Sequence, residues 1–327
     1  MLTASLIIYV LAGTSGFWLN SLNLILVGRV LLGVGVAGIM TSATTLMGDY
    51  FTGQKREKFM SIQGAFVALG GLLFITSAGY LADISWRLTF LVYGFAIIVL
   101  VLVPFGLYEP KVEHKSISKD TRSLKVTKMV WLVYLSAFIT TIFFYIIPVQ
   151  LPFLLQGFDG VKGNQIGLAI GFMTIAQAIA AFSYKNLKQK LSFLNIYMLG
   201  FAIMGVGFLI VGLSSTYITA IIGVLVIGLG IGSLIPNANL WIMSLIPDSQ
   251  RGKYIGTLTT ATFMGMFISP VAIQPIQNVV GLNYSFVVAA VILILLSAFY
   301  LSLSKLTSSK NKWSYTLTNY MRNQERA

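Results

Sequence analysis

Apolar runs free of charged residues, each long enough to cross a bilayer, divide this chain almost from end to end. Charge-free windows cover residues 2–28, 30–48, 59–82, 88–108, 129–158, 163–184, 191–247 and 254–304. One membrane span needs about 20 apolar residues. The first window holds a span to about Leu19 and then, after a polar break at 20–23, the start of the next. The last two windows are long enough for two spans each, and the turn-forming stretches at 214–215 and 281–283 divide them. The pattern therefore predicts ten transmembrane helices in an all-α polytopic membrane protein.

A second regularity is a repeat. Residues 26–60 return without a gap 195 positions later, at 221–255, and both copies run in the same direction. Gly28, Gly33, Gly35, Ala43, Arg56 and Lys58 fall on Gly223, Gly228, Gly230, Ala238, Arg251 and Lys253. Parallel repeats of membrane helices are one construction of secondary transporters. Shifted back by the same offset, the spans at 191–212, 216–245, 253–277 and 284–304 land on the four N-terminal ones. Counterparts of the spans at 129–155 and 164–184 would fall before residue 1, so the chain reads as a six-plus-six arrangement without its first two helices. The expected domains are a four-helix bundle over 1–108, a cytoplasmic linker over 109–128, a six-helix bundle over 129–304 and a basic cytoplasmic tail over 305–327.

Charge sets the expected orientation. Nineteen of the 22 Lys and Arg residues fall in the loops near 55–58, 111–128, 185–190 and 251–253 or in the tail. Only Arg87 and Lys162 fall on the other side, while Arg29 lies inside a span. Basic loops stay in the cytoplasm, which places both termini there and the chain in the plasma membrane. The net charge of +13 accordingly belongs to lipid-facing loops and headgroup contacts, and nucleic acid is not an expected partner. With 57% hydrophobic and 9% charged residues, no separate soluble domain fits. Cys is absent, which removes disulfides and thiolate ligands. Neither a Walker loop, a metal-ligand cluster nor a catalytic triad is present, so an enzyme, a cofactor and a metal are not expected.

On particular residues the chain resembles the major facilitator superfamily, over essentially its whole length. Arg29-Val-Leu-Leu-Gly33-Val-Gly35 is similar to that family's Arg-x-x-x-Gly-x-Gly signature in its fourth helix. Trp86-Arg87-x-x-Phe90 is similar to the opening of its sixth helix, and Gln165-Ile-Gly167 to a common start of a helix in its second half. Two elements depart from the pattern. The Gly-x-x-x-Asp-Arg-x-Gly-Arg loop would precede residue 1, and the Gly-Pro-x-x-Gly-Gly element of proton antiporters is replaced by Ile75-Thr76-Ser77-Ala78-Gly79-Tyr80. The resemblance implies secondary active transport of a small organic solute by two bundles rocking in alternating access. It implies efflux of a drug-like or metabolite compound first, with uptake of a sugar or organic acid as the alternative. Protons are the candidate coupling ion and a monomer the expected state.

Arg29 is the leading candidate for transport or coupling. It lies about 10 Å into its helix at 1.5 Å per residue, and an intramembrane Arg costs about 2.5–3.5 kcal/mol on insertion scales. The competing expectation is an Arg that snorkels to the outer interface. Asp49, Arg56 and Arg251 are gating candidates at the basic ends of their helices, with plain interfacial charges as the alternative. Gly33, Gly35, Gly228 and Gly230 are expected to let helices approach closely; a dinucleotide loop would need a strand before them. Thr41, Thr45, Tyr145, Gln150, Gln177, Asn237, Asn239, Trp241 and Gln274 are the substrate-cavity candidates. For each of these, hydrogen bonding between helices is an equal alternative, since a polar group in lipid must find a partner. Three rival classes remain: a ten-helix drug/metabolite-type carrier, which would need inverted repeats, an integral-membrane enzyme, and a truncated remnant that moves no solute.

Overall fold

In the computed structural model the backbone is described for residues 1–51, 53–106, 128–247 and 250–324, and its regular structure is helical throughout. The elements are α1 (Leu2–Trp18), α2 (Leu22–Tyr50), α3 (Gly53–Ile84), a 3₁₀ segment (Trp86–Phe95), α4 (Ala96–Gly106) and α5 (Lys128–Gln156). They continue with α6 (Gly163–Lys190), α7 (Phe193–Gly212), α8 (Tyr217–Leu245), α9 (Arg251–Val280) and α10 (Leu282–Gln324). Eight helices among the described residues are long and apolar enough to cross a membrane, and α1 and the Leu69–Ile84 part of α3 are shorter apolar helices. The all-α polytopic fold expected from the window pattern is the fold observed. The linker expected at 109–128 lies outside the described residues except for Lys128.

The breaks follow local chemistry. Leu19 turns extended after α1. Thr216 and Thr219 form a capping box that starts α8, each side chain accepting from the other's backbone N–H. Gly281 ends α9 at φ 84, a left-handed conformation that glycine adopts without a steric penalty. One element differs from expectation. The span expected over 88–108 begins as a ten-residue 3₁₀ segment before continuing as α4. Runs of 3₁₀ helix beyond three or four residues are uncommon, so this length needs a tertiary cause. The cause lies in the rings it carries, described below.

The described residues group into two compact units. The first is drawn from Met1–Leu124 and Lys162–Gly171. In it α1 and α2 pack through glycine: a Cβ on Gly28 would lie 2.5 Å from Ser15 Oγ, one on Gly35 would lie 3.0 Å from the Tyr9 backbone N, and one on Gly38 would collide with Ser5. The first turns of α6 also belong to this unit. Gly79 of α3 lies directly against the Gly163 carbonyl and Gly167 Cα. There the Asp83 carboxylate accepts from the backbone N–H groups of Gly163 and Asn164, satisfying donors that a helix start leaves free.

The second unit is drawn from Lys125–Val161 and Phe172–Ala327. Here α7 packs against α8 and α10, and α5 against α9 and α8. Ile147, Leu151, Phe201, Met204, Phe208 and Phe286 are fully buried in its core. Hydroxyl groups tie neighbouring helices together: Thr141 donates to Thr262 O at 3.0 Å, Ser269 to Ile142 O at 2.7 Å and Ser297 to Met198 O at 2.8 Å. Such bonds, together with small residues, are the usual means of packing helices where lipid removes any hydrophobic drive between them. On the outside the helices present bare apolar side chains, among them Phe182 and Val279 at 81% and 86% exposure, which suits hydrocarbon and not water.

Candidate functional site around Arg29

Arg29 projects from the second turn of α2 toward the far end of α1. Its Nη2 donates to Gly13 O at 3.0 Å and, at 3.5 Å, lies at the edge of bonding distance from Ala12 O. Its guanidinium carbon stands 4.8 Å from the Phe90 ring centroid and 5.3 Å from that of Tyr93. Nε is buried and has no acceptor among the described residues. No carboxylate is among its partners in the described residues. The cation is thus held by two backbone carbonyl groups and two aromatic faces, and the negative face of an aromatic ring attracts a cation most strongly when water is excluded. These contacts hold the guanidinium against α1 and the 3₁₀ segment. At the rim of the same segment Arg87 lies over Trp86 at 5.1 Å and donates to Asn20 Oδ1 at 2.8 Å.

The other sequence candidates scatter. Thr41 and Thr45 are exposed and return their hydroxyls to their own helix, at Ala37 O (2.8 Å) and Thr41 O (2.9 Å). Asn239 does the same at Ile235 O, and Gln274 bonds Asn278. Gln150 is buried in α5, Gln177 is half-buried in α6, and Tyr145 meets Phe144 edge-on. The side chains of Asp49, Arg56 and Arg251 lie outside the described residues, so the gating pair carries no geometry here.

Asn237 and Trp241, cavity candidates for which bonding between helices is the equal alternative, lie buried inside the second unit, at 0% and 5% exposure. Asn237 accepts from the Tyr184 hydroxyl at 3.1 Å and donates to Phe193 O at 3.1 Å, joining α6, α7 and α8. Trp241 stacks on Phe193 with planes 6° apart and also touches Tyr197. Lys188 also reaches Phe193, its Nζ 4.0 Å from the ring centroid. Asn237→Leu takes the Tyr184 hydroxyl's acceptor away, and an unsatisfied buried group costs about 1–3 kcal/mol. Tyr184→Phe removes one membrane hydrogen bond, worth about 0.6 kcal/mol on average. Unfolding in detergent is expected to show these losses as less than additive in the double variant, because the two residues share a bond.

Gly33 stands apart from the other three packing glycines. A Cβ at Gly35, Gly228 or Gly230 would meet a neighbouring helix within 3.0 Å, whereas at Gly33 it would meet nothing within 4 Å. Gly33 lies on the face of α2 that no described helix covers.

Sequence reasoning missed the rings around the cation. Phe90 enters it only as part of a motif, and Tyr93, Gly13 and Gly16 do not enter it at all. A usable signal was present: two glycines three apart in one apolar span, and two aromatic residues three apart in another.

Comparison with known proteins decides the family. The model of the Major Facilitator Superfamily matches residues 1–161 and 133–317. The chain belongs to this superfamily. Among its relatives is the Escherichia coli O157:H7 protein YhhS, an uncharacterized MFS-type transporter, 24% identical over 77% of this chain and 61% of the relative. The Yersinia enterocolitica multidrug resistance protein MdtG is 27% identical over 53% of this chain and 42% of its own. The Bacillus subtilis multidrug transporter protein MdtP is 28% identical over 32% and 20%. The chain thus spans less than two thirds of the length of these curated relatives. In fold it is similar to a bacterial homolog of the human lysosomal transporter Spinster, crystallised in an inward-facing and occupied conformation. That match has a TM-score of 0.72 at 17% identity and covers 93% of this chain and 82% of the other. Arg29 and Phe90, which stand 4.8 Å apart, both fall within the first matched range.

Proposed function

We propose that this superfamily member mediates secondary active transport of a small organic solute across the plasma membrane by alternating access. The first reading of direction and cargo is efflux of a drug-like or metabolite compound, and its support is that one relative is named a multidrug transporter protein and another a multidrug resistance protein. The basic loops and both termini face the cytoplasm in this reading. The bundles over 1–108 and 129–304 are its two moving halves, and protons are the coupling ion. The observation that carries it is Arg29, a cation in a transmembrane helix with no carboxylate partner among the described residues, a position costly enough to mark function by default.

Ethidium provides the test. Purified chain in proteoliposomes is expected to move ethidium when a pH gradient is imposed, and to stop when an ionophore collapses it. Gradient-driven uptake of a sugar or organic acid, with no ethidium movement, would reverse the direction and cargo. A second reading, in which these ten helices move nothing by themselves, is favoured by the uncovered face at Gly33. Vesicles that hold the folded protein and move no solute under either gradient would establish it.

A further inference from the structure

The 3₁₀ segment carries both of the rings that face Arg29. In a 3₁₀ helix residues three apart eclipse one another, so Phe90 and Tyr93 stand in one line along a single edge. That edge meets α1 at its two glycines. A Cβ on Gly16 would collide with Phe90 Cε1 and Cδ1, and one on Gly13 would lie 2.6 Å from Tyr93 Cβ and Cγ. No side chain larger than hydrogen fits at either place with the rings where they are. Each ring is also braced by a second aromatic, Tyr93 by Tyr9 at 5.6 Å and Phe90 by Trp86 at 5.9 Å, both edge-on. An α-helical start to this span would separate the two side chains by about 60° around the axis, because three residues make less than one 3.6-residue turn.

We propose that Phe90 and Tyr93 are the positioning residues of Arg29, and that Gly13 and Gly16 of α1 serve to admit their rings. The rings fix the guanidinium against the α1 carbonyls and stabilise its charge without a carboxylate partner. The proposal rests on the reading that Arg29 works in transport. Arginine in place of lysine follows from it, since a flat delocalised cation can lie on two ring faces and a compact ammonium cannot.

The test is the side-chain Hε–Nε resonance of Arg29 in ¹⁵N-arginine-labelled protein in dodecylmaltoside micelles. Its assignment comes from its loss in Arg29→Lys. Ring currents are expected to place it upfield of the other arginine resonances. Phe90→Leu and Gly16→Ala are expected to move it toward them, and Phe90→Trp, which keeps a ring face, to leave it upfield. The Arg87 resonance, from the rim of the same segment, stays in place if the segment keeps its fold. Gly16→Ala is the second variant because it leaves the sequence of that segment untouched. An Arg29 resonance unmoved in both Phe90→Leu and Gly16→Ala would overturn the proposal. The expected shifts together with unchanged ethidium flux in Arg29→Leu would keep the cradle and remove Arg29 from transport. Lost flux with an unmoved resonance would do the reverse.

Discussion

Arg29→Leu is expected to lower gradient-driven ethidium flux by at least about tenfold, the equivalent of about 1.4 kcal/mol in the rate-limiting barrier, while leaving the fold as stable as before or more so. The two halves of this expectation come from one fact. A guanidinium placed in hydrocarbon costs about 2.5–3.5 kcal/mol at the centre of a span. Two carbonyl contacts and two ring faces offset part of that cost. A buried ionic group replaced by an apolar one of similar volume is commonly neutral or stabilising. Leu fills much of the same space beside Phe90 and Tyr93, so melting in detergent is expected to stay level or rise. A cation that merely marked the interface would leave flux intact. Flux and melting temperature measured on the same preparation therefore separate the two roles. Arg29→Lys is expected to fall between wild type and Leu, since it keeps the charge and loses the planar fork that spans both rings.

What the sequence could disclose depended on whether the signal was local. The breaks at 20–23, 214–215 and 281–283 are set by run length, capping and turn residues, and all of these reappear in the structure. The place of Arg29 was equally legible, because a lone charge in an apolar span is visible without a fold. The 3₁₀ winding at Trp86–Phe95 was not. Its cause is the fit of Phe90 and Tyr93 to glycines on another helix, a contact between residues more than 70 positions apart. The role of Asn237 and Trp241 was illegible for a different reason. A polar side chain at mid-span needs a partner whether it lines a cavity or ties helices together, so the residue type alone cannot separate the two. The bonds to Tyr184 and Phe193 show that Asn237 ties helices together, which its residue type could not. The glycines show a signal that periodicity does contain. At 3.6 residues per turn Gly28 and Gly35 share a face of α2, and Gly33 stands about 200° around from Gly35. Resemblance to the Arg-x-x-x-Gly-x-Gly signature treats the two glycines alike; helical geometry does not.

The repeat turns that difference into an expected result: Gly228→Leu disrupts the second unit, and Gly33→Leu, at the matching position of the first copy, does almost nothing. In the second copy the glycines of α8 face two ways. Gly223 and Gly230 lie against α7, where a Cβ would come within 2.9 Å of the Gly207 and 2.8 Å of the Gly200 carbonyl oxygen. Gly228 and Gly232 lie against α6, with added Cβ atoms 2.5 Å from Met173 O and within contact of Gln177 O. These neighbours are backbone, which cannot rotate away, so α6 must back off along its length. Overpacking of this kind typically costs about 1–3 kcal/mol and occasionally more, and a Leu against backbone belongs at the upper end. In the first copy Gly28 and Gly35 keep the α7-type contact by lying on α1, but nothing in the described residues stands where α6 stands for Gly228. The leucine side chain of Gly33→Leu would extend into open space beside Val30 and Val34, which are already 70% and 57% exposed. Unfolding of the two variants in detergent checks this directly: a large loss for Gly228→Leu beside a change within about 0.5 kcal/mol for Gly33→Leu. Equal losses would mean that a helix covers the Gly33 face in the folded protein, in the position that α6 holds on α8.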